Sequence, residues 1–261
     1  MQRISSKDNS LIKHIKKLKE KKYRQQYREY IVEGLKLIKE AINENVKINK
    51  IIICESEDNT EMIENHLRYE IARFDCVLVP HNIFKTLSDV ETPQGIMAII
   101  EKSQASKKID FNTDIIVALD DVQDPGNLGT ILRTIDSIGL KQVLVSKNTV
   151  DCYNSKVIRS TMGAIFRVNV IECDDLCNTL TLTKNNGFKI MVTSLKAKKS
   201  IYDVKYQKKV IVVGNEANGV SESVIKFADE KLIIPMRGKT ESLNVAVATG
   251  VILYEYVRQS L

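Results

Sequence analysis

Residues 115–133 read IIVALDDVQDPGNLGTILR. Ile115 to Leu119 is an unbroken apolar run, and Leu119 to Arg133 reads as the junction from that strand into a helix beginning near Asn127. Gln142 to Val145, Phe188 to Val192, Val210 to Val213 and Leu232 to Ile234 repeat the pattern of short apolar runs. A strand with one face in water alternates apolar and polar residues, whereas a strand covered on both faces does not. These runs therefore predict a mainly parallel sheet sandwiched by helices, an α/β architecture. A last helix, about Leu243 to Arg258, is apolar at its start (LNVAVATGVILYEY), as suits a core or a subunit interface.

Outward toward the N-terminus lies EKSQASKKIDFNT, Glu101 to Thr113, polar and without apolar periodicity. It is the best candidate for a domain boundary, and it divides the chain into domains at 1–104 and 112–261. The first hundred residues read as a smaller α/β unit. Asn9-Ser10 suits the cap of a helix carrying Leu11, Ile15 and Leu18 on one stripe. Strands are predicted at Tyr30 to Val32, Lys50 to Cys54, Cys76 to Val79 and Gly95 to Ile100. Helices are predicted from Leu35 to Ile42 and near Glu61 to Arg68.

The composition of the 261 residues, 43% hydrophobic and 28% charged with 11 glycines and 4 prolines, excludes fibrous, low-complexity and disordered classes. The net charge of +6 is unevenly placed. Residues 11–28 hold eight basic side chains against Glu20 alone, a local +7 that leaves the remainder near −1. Such an arm suits a polyanion or a solvated helix. No apolar run is long enough to span a bilayer, and MQRISSKDNS lacks the apolar stretch of a signal peptide, so a cytoplasmic protein is expected. Cys54, Cys76, Cys152, Cys173 and Cys177 sit at scattered spacings that fit reduced core thiols. His14, His66 and His81 show no metal-ligand spacing and are expected at the surface, with no metal.

Ligands of parallel sheets bind outside the carboxyl ends of the strands. The glycine fingerprints GxGxxG and GxxxxGK[ST] are both missing there, which disfavours dinucleotide enzymes and phosphate-loop NTPases. Three other segments occupy strand-to-helix junctions: LDDVQDPGNLGTILR, then VGNEANG at Val213 to Gly219, then IIPMRGKTESLNVA at Ile233 to Ala246. In this order and separation they resemble the three motifs of the SpoU/TrmH-type RNA ribose methyltransferases of the SPOUT superfamily. Asn127, Gly129 and Arg133 fit the first, Gly214, Glu216 and Gly219 the second, and Pro235, Ser242, Leu243 and Asn244 the third. Arg159, Gly163 and Ala164 resemble an intervening R-x-x-x-GA stretch. YIVEG at Tyr30 to Gly34 and TPQGIMAI at Thr92 to Ile99 resemble, more loosely, the small ribosomal-protein-like RNA-binding domain found N-terminal in many members.

The resemblance implies a parallel sheet whose C-terminal stretch is tied in a trefoil knot, a rare topology that periodicity does not suggest. It also implies a homodimer that transfers a methyl group from S-adenosylmethionine to a ribose 2′-hydroxyl. The N-terminal domain favours large-subunit (23S) ribosomal RNA over transfer RNA; a silent RNA-binding factor is the reading from another class. Asn127, Arg133, Glu216, Ser242 and Asn244 are the implied catalytic set. Thr193, Gly214, Asn215, Ile234, Met236, Leu243 and Val245 would offer backbone groups and apolar walls to the cofactor, and Lys16, Lys17, Lys21, Lys22 and Arg24 would hold RNA. A guanidinium is a poor base, so Arg133 reads as phosphate clamp and electrostatic activator, and Glu216 as a group orienting Arg133 or the ribose. Ser242 and Asn244 also suit helix caps, a role compatible with lining a reaction centre.

Overall fold

The computed structural model describes residues 1–56, 68–103 and 108–261. The helix expected near Glu61 to Arg68 lies, up to residue 67, outside the described residues. The chain forms two compact units, Met1–Gln104 with Tyr153–Phe166, and Ala105–Cys152 with Arg167–Leu261. The segment Tyr153–Phe166, which the sequence places in the second half, thus packs with the first unit.

In the first unit the strands are β1 (Gln2–Arg3), β2 (Glu29–Glu33), β3 (Ile48–Glu55), β4 (Cys76–Pro80) and β5 (Ile96–Glu101). They form one mixed sheet in the order β1-β4-β3-β5-β2. Helices α1 (Ser10–Lys17), α2 (Lys21–Tyr27), α3 (Leu35–Asn43), α4 (Arg68–Ile71) and α5 (His81–Leu87) connect them. The central strand β3 is buried on both faces. Ile51 and Ile53 join Val32, Ile38 and Ala98 in one core, while Ile52 and Cys54 join Ile12, Ile15 and Val77 in the other. YIVEG and TPQGIMAI meet where β2 runs antiparallel to β5. Gly34 there has φ +106°, and Gln94 Oε1 accepts from the Leu35 N–H at 3.0 Å, capping α3 across the sheet.

The basic arm folds into α1 and α2. Asn9 caps α1 by accepting from the Leu11 N–H at 2.8 Å, and Ile12, Ile15 and Leu18 form the buried stripe, with Leu11 only half-buried. Two expectations are corrected here. Arg24, read above as an RNA contact, is only 5% exposed. Its guanidinium donates to the carbonyls of Leu18 (2.9 Å) and Lys19 (2.7 Å), closing the turn between the helices. His14 is half-buried rather than superficial, its Nε2 lying 2.6 Å from Glu29 Oε2.

The second unit carries β6 (Ile115–Leu119), α6 (Pro125–Ser137), β7 (Gln142–Ser146), β8 (Asn169–Cys173), α8 (Leu176–Asn185), β9 (Lys189–Thr193), β10 (Lys199–Ser200), β11 (Lys209–Val213), α9 (Glu222–Ile225), β12 (Glu230–Ile233) and α10 (Val245–Ser260). The helix Ser155–Thr161 of the other unit is α7. The sheet order is β10-β12-β9-β11-β6-β7-β8, and every pairing is parallel. All five residues of β6 are buried. From β6 the chain steps outward to β7 and β8, then returns to the other side, where β11 inserts between β9 and β6. The loops leaving β6 and β11 therefore emerge side by side at the topological switch point. Among the described residues no helix is long and apolar enough to cross a membrane.

Replacing Arg24 with Met leaves the two turn carbonyls without their charged donor. The substitution is expected to lower stability by about 1.5–3 kcal/mol, read from urea unfolding of the whole chain. Unchanged stability would mean that the turn stands without Arg24.

Candidate active site

The loops at the switch point are knitted together by side chains. Asp120 Oδ2 accepts from the Ser221 N–H at 2.8 Å, and the Asn215 amide donates to the Asp121 carbonyl at 2.9 Å. Glu216 then reaches back to the β6 loop: Oε1 accepts from the Asp124 N–H (3.0 Å) and from the Asn127 side-chain amide (2.9 Å), and Oε2 accepts from the Gln123 N–H (3.1 Å). Asn127 Oδ1 in turn accepts from the Asn244 amide at 2.8 Å. One chain of hydrogen bonds thus joins the three motif segments through Glu216, Asn127 and Asn244.

Local chemistry explains the residue types. Asp124 is the N-cap of α6 and accepts from the Asn127 N–H at 2.8 Å, with Pro125 at the first helical position where no N–H is needed. A Cβ on Gly126 would stand 2.9 Å from the Asp124 carboxylate, so glycine leaves the cap its room. In the VGNEANG loop, Asn215 and Gly219 exchange two backbone hydrogen bonds, both 2.9 Å. Gly214 is forced by the same closure, because a Cβ there would overlap the Gly219 carbonyl carbon and the Val220 nitrogen. Asp121 holds a left-handed φ of 64°, fixed by its N–H donating to Ser146 Oγ and by its carboxylate accepting from the Gln123 amide. Such backbone costs about 1–3 kcal/mol and persists where the surroundings hold it in place.

A cavity of about 360 Å³ opens at the carboxyl ends of β9, β11 and β12, within the size range of small-molecule sites. Thr193, Gly214, Asn215, Ile234, Met236, Leu243 and Val245 all line it, as do Glu216, Ser242 and Asn244. Asn127 stands beside this group through its bonds to Glu216 and Asn244. Asn244 caps α10, accepting from the Ala246 and Val247 N–H groups, while its amide holds Asn127. Arg133 differs from the rest. It is exposed on α6, is not in the cavity wall, and has no hydrogen bond or ion pair among the described residues. Within the chain, Glu216 holds Asn127 and the β6 loop and makes no bond to Arg133 among the described residues.

Burial pushes the Glu216 carboxyl up, but the Asn127 amide and the N–H groups of Asp124 and Gln123 outweigh it and hold the pKa below the ordinary 4.5. An ionised acceptor so occupied is a weak base, which makes Glu216 a positioning residue. Sequence reasoning missed Asp120, Asp121, Gln123 and Ser221. Of the acids after β6 only Asp124 carries a readable signal, since Asp directly before Pro is an N-cap pattern, and Asp120 and Asp121 have none. Nothing local announces that Ser221 and Asp120 will meet, 101 residues apart.

Residues 114–254 match the SpoU rRNA methylase family, and residues 9–98 match the MRM3-like substrate binding domain. The chain belongs to the SpoU rRNA methylase family. It is 30% identical to the 23S rRNA (guanosine(2553)-2′-O)-methyltransferase RlmP of Bacillus subtilis, over 97% of this chain and 98% of that one. An AdoMet-bound rRNA methyltransferase from Sinorhizobium meliloti is similar in structure, with TM-score 0.85, 28% identity, and 100% of this chain and 98% of that one covered. The A. aeolicus TrmH/SpoU tRNA modifying enzyme, 38% identical, aligns with only 56% of this chain and 75% of its own, with TM-score 0.51.

The depressed Glu216 pKa sets a sign for pH. A carboxylate whose folded pKa lies below its unfolded one stabilises the fold at neutral pH, and that contribution disappears as pH falls through the folded value. The melting temperature of the protein should exceed that of Glu216→Gln most at neutral pH, and the gap should close below pH 4.5. A gap independent of pH would show that ionisation of Glu216 does not hold the loops.

Proposed function

We propose that this protein transfers a methyl group from S-adenosylmethionine to a ribose 2′-hydroxyl of RNA, with large-subunit ribosomal RNA as the substrate. The observation that carries this reading is the placement of Asn127, Glu216, Ser242 and Asn244 at one side of a cavity lined by apolar side chains and open backbone. Ile234, Met236, Leu243 and Val245 would wall the adenine and methionine portions, with the backbone of Gly214 and Asn215 also in the cavity wall. The cavity's size and its lack of a basic lining fit a ligand of this kind better than a nucleoside triphosphate. When bound, S-adenosylmethionine supplies an electrophilic methyl group on a sulfonium.

The chain's own residues then have separate tasks. Displacement at a methyl carbon needs the hydroxyl oxygen held in line. Asn127, fixed at both ends of its amide by Glu216 and Asn244, is rigid enough to set that position. Arg133 carries a charge that no carboxylate of its own chain neutralises among the described residues, which suits a phosphate beside the target ribose. Its place outside the cavity supports a shared site in which Arg133 serves the cavity of a second copy. The face of α10 favours such a homodimer, because Val247 and Tyr254 are more than half exposed there, and Tyr254 lies against Ser137 of α6. Ribosomal RNA is favoured over transfer RNA because similarity to the tRNA modifying enzyme covers only about half of the chain, whereas the rRNA relatives align along nearly all of it.

Mapping of 2′-O-methyl groups in ribosomal and transfer RNA from cells with and without the protein tests the reading directly. Loss of one ribosomal site is expected, and an unchanged pattern in both RNAs would leave a silent RNA-binding factor. Arg133→Ala should lower methyl transfer by about a hundred-fold or more while S-adenosylmethionine binding stays within a few-fold. Mixing Arg133→Ala subunits with Asn127→Ala subunits should restore part of the activity, since one hybrid site then has both residues. No restoration would argue for a site made within one chain.

A further inference from the structure

Four lysines of the arm, Lys16, Lys17, Lys21 and Lys22, are exposed and have no carboxylate partner among the described residues. Others are spent within the fold: Lys13 pairs with Asp8 at 3.0 Å and Lys19 with Asp89 at 2.9 Å. Between the free cations stands a ring that charge counting overlooks. The ammonium groups of Lys17 and Lys22 each lie 5.6 Å from the centroid of the Tyr23 ring. Tyr23 also lies nearly parallel to Tyr27, with centroids 6.1 Å apart and planes 15° apart. Tyr27 packs edge-on against His14 at 4.7 Å. His14 is tied to Glu29 of β2, whose other carboxylate oxygen accepts from Asn49 at 2.6 Å.

Tyr23 is thus the outer end of an aromatic ladder rooted in the sheet, and buried Arg24 beside it fixes the turn that sets α2 against α1. A half-exposed ring between unpaired lysines is ill suited to a core and well suited to an unpaired base. Single-stranded nucleic acids are held by bases stacking on aromatic rings while cations take the flanking phosphates. We infer that Tyr23 is a stacking platform for an unpaired nucleotide of the RNA substrate, with Lys17 and Lys22 turning from the ring to the phosphates on either side. The inference rests on the RNA-binding part of the function proposed above, not on methyl transfer.

The sequence contains no tryptophan, so Tyr23→Trp makes a single fluorescent reporter at the platform. In the full-length protein its emission should be quenched by a short single-stranded oligoadenylate and not by heparin, which has charge but no bases. Tyr23→Leu should weaken oligoadenylate binding by about five- to hundred-fold, the range of one lost stack. The slope of affinity against salt should stay the same, because no phosphate contact is removed. Neutralising Lys16, Lys17, Lys21 and Lys22 should instead flatten that slope. Equal affinity of Tyr23→Leu and the parent, a parallel loss for heparin, or an unquenched Tyr23→Trp would each overturn the proposal. Should Tyr23→Leu fail to fold, Tyr23→Trp still decides. RNA binding with the expected Tyr23 effects but no methyl transfer would sink the enzymatic reading alone.

Discussion

The carboxylate of Glu216 is the point on which the second unit's chemistry hangs. It gathers two backbone N–H groups of the β6 loop and the amide of Asn127, residues 89 to 93 positions away in sequence. Without it the first turn of α6 would lose its side-chain ties to the β11 loop among the described residues, and Asn127 would keep only Asn244 to fix which way its amide faces. The remaining contacts, Asp120 to Ser221 and Asn215 to Asp121, hold the same two loops at other heights. Charge-assisted bonds to an ionised acceptor are the stronger kind, so the most polar group at the site is also a structural clamp.

That clamp needs backbones that approach closely. Glycine at 214 allows the strand end to pass under Gly219 and Val220, and glycine at 126 leaves space for the capping carboxylate of Asp124. The motif glycines are therefore steric consequences of bringing two loops together. They do not mark a phosphate cradle, and the familiar nucleotide fingerprints are absent from this switch point.

Much of this was legible in the sequence. Apolar runs predicted the parallel strands, and the runs at Ile115, Val210 and Leu232 fall on β6, β11 and β12, of which β6 and β11 are buried as expected and β12 is not. The three junction segments pointed to one site, and all the residues proposed for the cofactor line one cavity. What escaped was set by tertiary contact. The strand β8 is half exposed and β10 has two residues, too little for a periodic signal. Helix α2 (KKYRQQY) offers only Tyr23 and Tyr27 as an apolar face, too weak a periodic signal, and is held besides by the bonds of Arg24. Charge counting treated Arg24 like its neighbours, although burial gives it the opposite task. The partners of Glu216 were invisible for a similar reason, since hydrogen bonds across the sheet leave no mark on local composition.

The insertion of β11 between β9 and β6 also has a temporal side. Asn215 and Asp121 are 94 residues apart, and the cavity is closed only by the chain from Ile234 to Val245. Strand pairs separated by long stretches are costly to close and form slowly. As the polypeptide emerges during synthesis, β6, β7 and β8 can assemble early, but their open edge must wait for β11. A nascent chain stalled before residue 245 would thus have every strand of the sheet but a cavity missing one of its walls.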